Sequence, residues 1–246
     1  MNLFKKQNSA IITESSNLHE IVNNAAKTVK NLDCDTISYF YNAKEIFKNA
    51  KTELLNISKN SDKLIIDHTS LFFGELNKLT SSELNFTNML INNISLSGDN
   101  DAIYIKNINT ASNDYFYTGP VINVNKDQLL QNLKNDKQNL EKVKHLLSEL
   151  QDIYSESSEN KIKEIKLKVG CNDDAKNNQI NYNVDINANE ELLKFYIKRN
   201  TLLDSINNEL KIDNGVKNLI DINKTEIATY NAKIIKANMN KFLRGY

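Results

Sequence analysis

The side chains best suited to catalysis are few and lie far apart in the sequence. The chain has two cysteines, Cys34 and Cys171, and three histidines, at positions 19, 68 and 145. Asp67 and His68, taken with Cys34, are the nearest approach to the thiol, imidazole and carboxylate of a cysteine nucleophile. A zinc site needs three or four converging ligands, commonly with two closely spaced, and no such group stands out. We therefore expect a structural thiol, with no catalytic residue, no metal and no cofactor.

The loops give no sign of a phosphate or calcium site. All six glycines are isolated, at positions 74, 98, 119, 170, 215 and 245, whereas a phosphate-binding loop needs closely spaced glycines. Asp99 and Asp101 resemble the start of a calcium loop, but position twelve of that loop is Thr110 instead of the required glutamate. These acidic clusters, including Asp173 and Asp174, are better explained as turn residues.

Two further patterns allow a binding interpretation beside a structural one. A basic strip could touch nucleic acid or an acidic partner, but lysines on an exposed strand also prevent edge-to-edge aggregation, and we favour that role for Lys161, Lys163, Lys166 and Lys168. The aromatic run Tyr115–Tyr117 could stack bases, although core packing is the simpler explanation. With 31 basic and 31 acidic residues the formal net charge is zero, so nucleic acid is not an expected partner.

Length and composition are those of an ordinary globular protein. The chain has 246 residues, of which 40% are hydrophobic and 25% charged. It contains 41 Asn and 29 Lys but only two Arg, a bias typical of an AT-rich genome. No apolar stretch has the length of a signal-peptide core or a membrane span. We therefore expect a protein of the cytoplasm, or of a particle such as a virion assembled there, that is not secreted by a signal peptide.

Hydrophobic periodicity predicts an α+β fold in which helix predominates, with long amphipathic helices in hairpins or a bundle. The predicted regions are helical at 1–94, β-rich at 95–125, a long helix at 126–156, a β-hairpin at 161–187 and helical again at 188–246. Together they make one or two compact domains. The small antiparallel β component is expected over about 102–124 and 162–187. In the second of these, Ile165, Leu167 and Val169 alternate with charged residues, as in a half-buried strand.

The pattern in the sequence that most directly indicates an interaction lies in the predicted long helix. Seven apolar residues and one aspartate follow the a and d positions of a heptad repeat: Leu129, Leu133, Asp136, Leu140, Val143, Leu147, Leu150 and Tyr154. Such a stripe packs either within its own domain or against a helix of another chain. On the second interpretation these eight residues are the candidate interaction residues, and Asp136 helps to fix register or neighbour choice.

Long apolar stripes without a cluster of reactive groups favour a non-enzymatic structural or assembly protein. Such a protein is a subunit of a homo-oligomer or larger complex, and the composition suits a virion component of a phage or other virus. Two alternatives stay open. One is a regulatory or adaptor protein that binds a partner through a helical surface. The other is an enzyme whose scattered Asp, Glu, Lys and Tyr form a site not visible in the sequence.

Overall fold

A computed structural model describes residues 3–30, 37–60, 66–96, 103–105, 122–173, 185–212 and 214–243 of the chain. Within these ranges seven helices occur in the order α1 Leu3–Lys30, α2 Ile37–Asn60, α3 Ile66–Leu96, α4 Lys126–Ile153, α5 Glu156–Asp173, α6 Ile186–Leu210 and α7 Asn214–Leu243. Two three-residue strands, β1 Ile103–Ile105 and β2 Ile122–Val124, lie between α3 and α4 and pair antiparallel.

The predominance of helix is confirmed, but the α+β class is wrong. Strands β1 and β2 form one short ladder in which Tyr104 lies opposite Asn123. Three residues a strand are too few to form a β layer against which helices can pack. The described part of the chain is therefore all-α in architecture. The aromatic run Tyr115–Tyr117 lies outside the described residues.

The predicted hairpin over 162–187 is also wrong, because helix α5 and the start of helix α6 occupy its described residues. Ile162, Ile165 and Val169 are buried, whereas Leu167 is 68% exposed. Spacings of three and four residues place the buried side chains on one face of a helix. The alternation of Ile165, Leu167 and Val169 is typical of a strand, but Ile162 precedes Ile165 by three residues, which is a helical spacing. The local sequence pattern therefore fits a strand and a helix equally well. The second strand of this predicted hairpin falls largely on residues outside the described ranges.

The chain divides into two compact units. Unit 1 comprises Met1–Ile57 and Leu71–Leu147, and unit 2 comprises Ser58–Ser70 and Ser148–Tyr246. The interior of unit 1 is built from leucine and phenylalanine, which can fill a helical core without polar atoms. Its fully buried side chains include Leu54, Phe72, Phe73, Leu76, Leu79 and Leu147.

Helices α5, α6 and α7 of unit 2 share an apolar core. Helices α5 and α6 each contribute side chains at spacings of three or four residues, which is the period of an amphipathic helix, and α7 contributes Tyr230. The buried members of this core are Ile162, Ile165, Val169, Ala188, Leu192, Tyr196 and Tyr230. Two of them are tyrosines, so phenol groups enter the core and need hydrogen-bonding or charged neighbours.

A sharp junction separates α4 from α5. The Ser155 hydroxyl donates to the carbonyl oxygen of Asp152 at 2.7 Å and accepts from the backbone N–H of Ser158 at 3.3 Å. Ser155 therefore caps the N-terminus of α5, where serine satisfies a backbone donor that has no partner inside the helix. Glu156 and Glu159 lie in the first turn, where negative charge is favoured by the helix dipole.

Candidate functional site

The predicted interaction stripe of α4 is covered by its own chain. All seven of its apolar side chains are buried, the least exposed being Leu147 and Leu150. Asp136 is partly exposed and forms an ion pair with Lys44 of α2. This burial favours packing within the chain, because side chains that are already covered offer little surface to another molecule. Use of the stripe between chains stays a prediction.

The candidate nucleophile set falls largely outside what the structure describes. Cys34 lies outside the described residues, and α3 includes Asp67 and His68 without a described side-chain environment. The Cys-His-acid interpretation therefore stays a hypothesis. Where side chains are described, no group of three or more His, Cys, Asp or Glu could hold a metal ion.

Buried carboxylates in unit 1 are tied to basic neighbours. Glu75 Oε1 lies 2.6 Å from Lys78 Nζ and 3.4 Å from His19 Nδ1. Glu83 Oε2 lies 2.8 Å from Lys51 Nζ. A carboxylate that loses water on burial needs such partners, so these groups join α3 to α1 and α2 and are explained by packing.

Arg199 of α6 is a buried cation enclosed by aromatic rings. The side chain is 3% exposed, and its Nη2 donates to the carbonyl oxygen of Ile153 at 2.9 Å and to Glu159 Oε1. Its Cζ lies 4.0 Å from the ring centre of Tyr154 and 4.6 Å from that of Phe195. A planar guanidinium can stack on rings and donate in its plane at the same time. We call these five residues the Arg199 cluster.

The contacts of the Arg199 cluster cross the α4–α5 junction within unit 2. Ile153 is the last residue of α4, and Glu159 lies in the first turn of α5. One guanidinium therefore holds the end of one helix and the start of the next against α6. It also supplies a donor to a helix-terminal carbonyl that lacks one inside its own helix. Because the Arg199 side chain is already covered by its own chain, it has a structural role and an external anion cannot reach it.

A second cluster ties α5, α6 and α7 together. Lys166 Nζ lies 2.7 Å from Glu226 Oε1 and 5.3 Å from the ring centre of Tyr196. The rings of Tyr196 and Tyr230 stack with centroids 6.0 Å apart and 11° between their planes. The lysine stem can pack on apolar surface while its ammonium group meets the carboxylate and the ring. This arrangement, the tyrosine stack, places one polar contact at the edge of the apolar core.

The pKa shifts in both clusters move away from neutral pH. Burial raises the pKa of Tyr154 and of Tyr230 to about 12 and also raises the pKa of Tyr196. Burial lowers the pKa of Lys166, but hydrogen bonds with Glu226 and Tyr196 outweigh it, so the net shift is upward. A general acid or base works best with a pKa near the operating pH. These groups therefore keep their protons and serve packing.

We expect the free energy of unfolding of unit 2 to fall as the pH rises from 10 to about 12. Tyr154 has a folded-state pKa of about 12 against an ordinary value of 10.0, so the folded state holds more protons in this window and stability declines with pH. Its contribution, about 3 kcal/mol, is fully present below pH 10. Urea unfolding at a series of pH values measures the slope.

The substitution Tyr154→Phe is the control for this alkaline effect. It removes the ionisable hydroxyl while keeping the ring beside Arg199, so the decline between pH 10 and 12 should become shallower. Absorbance of tyrosinate in the folded protein gives an independent titration. If the wild type and Tyr154→Phe lose stability with the same slope, burial does not hold this proton.

The C-terminal end of α7 exposes four large apolar side chains. Ile235, Met239, Phe242 and Leu243 are 51, 59, 83 and 77% exposed. Three of them follow each other at spacings of four and three residues, so they form one stripe on the helix. Together they present an apolar patch on the order of a few hundred Å². The largest apolar patch of a typical monomer is of this size and is often functional. We call these four residues the α7 tip face.

Basic residues accompany the α7 tip face. Lys233, Lys236 and Lys241 lie in the same part of the helix, and no Asp or Glu follows Glu226 in α7. Lys236 and Lys241 are exposed, while Lys233 is half-buried. A helix end that is both apolar and basic suits a partner that is apolar and acidic.

Unit 1 has an open groove between α1 and α2 with a volume of about 540 Å³. Its apolar floor includes Ile21, Ala25 and Ala50, which are buried, while Glu20 and Glu53 are exposed beside it. We call it the α1–α2 groove, and its described lining residues are Asn17, Glu20, Ile21, Asn24, Ala25, Thr28, Ile46, Asn49, Ala50 and Glu53. Two carboxylates and three amides give the groove an acidic, polar rim.

The α7 tip face was not predicted from the sequence. Helix α7 has two apolar series that are offset by one residue. The buried or half-buried series runs through positions 227, 230, 234 and 237, and the exposed series through positions 228, 232, 235, 239 and 242. The signal that predicts a second contact surface is a pair of heptad-spaced apolar series on one helix, within a stretch that has no acidic residue.

Comparisons with protein-family profiles, with curated proteins and with solved structures find no match to this chain. None of the helices in the described ranges is both long and apolar enough to cross a membrane. What the chain does is therefore inferred from its own contacts and from the surfaces that they leave exposed.

Proposed function

We propose that the chain is a non-enzymatic structural or assembly protein, a subunit of a larger complex held together by contacts of its helices. The observation that carries this proposal is the α7 tip face, where Phe242 and Leu243 are more than three-quarters exposed. Such side chains leave water only when another molecule covers them, and covering them is favourable in proportion to their area. The composition, rich in Asn and Lys, indicates an AT-rich genome, and a virion component of a phage or other virus is compatible with such a source.

The interior chemistry also supports a structural role over catalysis. In the Arg199 cluster and the tyrosine stack, each ionisable group makes contacts that tie helices together. Active sites instead bring groups with pKa values near neutrality into a cleft that a substrate can enter. The shifts in these two clusters run the opposite way, toward phenols and a lysine that retain their protons.

We expect the purified protein to exceed the monomer mass of 28.1 kDa, increasingly so at higher concentration. Light scattering coupled to size-exclusion chromatography measures this mass, and dilution should reverse the association because the exposed face is of modest size. A mass of 28.1 kDa at every concentration contradicts self-assembly and favours the alternative, a monomeric adaptor that binds a different protein.

A further inference from the structure

The α7 tip face and the α1–α2 groove are complementary in charge and in shape. We infer that the tip face of one molecule binds in the groove of a second copy, so that the chains associate head to tail. This inference rests on the proposed function and names the partner. Both surfaces are complete within their own units, and the contact is between two molecules.

The apolar parts of the two surfaces match in size. Ala25 and Ala50 leave space above the groove floor, because their side chains are a single methyl group. Met239 and Phe242 are the projecting side chains of the tip face, 59 and 83% exposed. The groove volume of about 540 Å³ lies in the range that accepts a drug-sized molecule, so both side chains can enter. Large side chains set against small ones give close packing.

The charges of the two surfaces are opposite. The described lining of the groove includes Glu20 and Glu53 but no Lys or Arg, whereas the tip face is flanked by lysines such as Lys236 and Lys241. A single exposed ion pair contributes little to affinity, but like charges set opposite each other oppose binding strongly, so charge selects the partner and the orientation. Two tip faces would instead bring lysines together. Charge therefore favours the groove of a second copy, and not a second tip face, as the surface that the tip face binds.

A contact of this kind is heterologous, since each molecule uses two different surfaces. When the tip face of one molecule is bound, its groove remains available for the next. Association therefore continues beyond the dimer unless a ring closes. The predicted signature is a mass that increases with concentration in steps of one chain, 28.1 kDa.

The test uses one variant for each surface. In the tip variant, Met239→Glu and Phe242→Glu remove the apolar projection; in the groove variant, Glu20→Lys and Glu53→Lys reverse the rim charge. All four positions tolerate polar side chains because they are exposed, and far-ultraviolet circular dichroism checks the helix content of each variant. Ile222→Glu, at an exposed position of α7 outside the tip face, is the matched control and should associate like the wild type.

Each variant alone should have a mass of 28.1 kDa under conditions in which the wild type is larger. An equimolar mixture should give a species of twice that mass and nothing larger, because only the groove of the tip variant and the tip face of the groove variant remain functional. Raised salt should weaken the wild-type association, since an ion-paired contact is screened while a purely apolar one is not.

Other outcomes separate this inference from the proposed function. If the wild type and both variants all assemble, the contact lies elsewhere. This result overturns the inference, but the proposed function as an assembly protein still stands. Loss of assembly in the tip variant but not in the groove variant indicates pairing of two tip faces, which also overturns it. A wild type that stays monomeric contradicts the inference and self-assembly together.

Discussion

Replacing Glu159 with glutamine should lower the free energy of unfolding of unit 2 by about 3–5 kcal/mol, because it leaves a buried cation without its counter-charge. The Arg199 guanidinium is 3% exposed and donates to Glu159 and to the Ile153 carbonyl. Glu159 is 20% exposed, but little water reaches the side chain of Arg199, so the charge that has lost its partner remains in the interior. Urea unfolding followed by circular dichroism measures the change.

An exposed ion pair between the same two helices provides the matched control. Lys161 of α5 and Glu191 of α6 lie 3.1 Å apart, with side chains 70 and 51% exposed. Glu191→Gln should cost less than about 1 kcal/mol, because solvent screens the pair. Replacing both Arg199 and Glu159 with methionine should recover much of the loss, since no unpaired charge then remains. Equal costs for Glu159→Gln and Glu191→Gln would show that the Arg199 cluster is not a buried ion pair.

The second large effect is expected from aspartate substitutions two residues apart in α5. Ile165→Asp should destabilise unit 2 by more than about 4 kcal/mol, because it places an unpaired carboxylate in the core. Leu167→Asp should cost less than about 1 kcal/mol. The difference arises because Ile165 is 6% exposed and Leu167 is 68% exposed. Thermal or urea unfolding of the two variants measures both values.

This pair also distinguishes helix from strand at the predicted hairpin. In a strand, Ile165 and Leu167 point to the same face, so the two substitutions would have similar effects. In α5 they lie about 200° apart around the helix axis, and only one faces the core. Similar losses for the two variants would therefore restore the hairpin and remove α5 from this region.

The helices could be predicted wherever the apolar pattern runs over many turns. The heptad stripe continues for nearly four repeats; the sequence predicts a helix at 126–156, and the structure has α4 at Lys126–Ile153. The segment around Ile165 offers only a few apolar residues, and their spacing fits a period of two as well as one of 3.6. Tertiary packing against α6 decides between them, and that information is not local.

The Arg199 cluster could not be predicted because its members come from distant parts of the chain. Arg199 is 46 residues from Ile153 and 40 residues from Glu159. No spacing rule links such positions without knowledge of how α4, α5 and α6 pack. The available hint was composition, since Arg199 is an arginine in a chain that otherwise relies on lysine. The planar guanidinium group of arginine suits a buried site in which a cation stacks on rings and donates hydrogen bonds.

The tyrosine stack gives unit 2 a source of near-ultraviolet dichroism. The chain has ten tyrosines and no tryptophan, so tyrosine alone provides the intrinsic fluorescence. Tyr196 and Tyr230 are held nearly parallel at 6.0 Å, and Tyr154 lies against a guanidinium. Rings fixed in such asymmetric surroundings produce near-ultraviolet dichroism, which disappears when tertiary packing is lost while helix content remains. A loosened, molten form of this unit would thus be recognised spectroscopically without any added label.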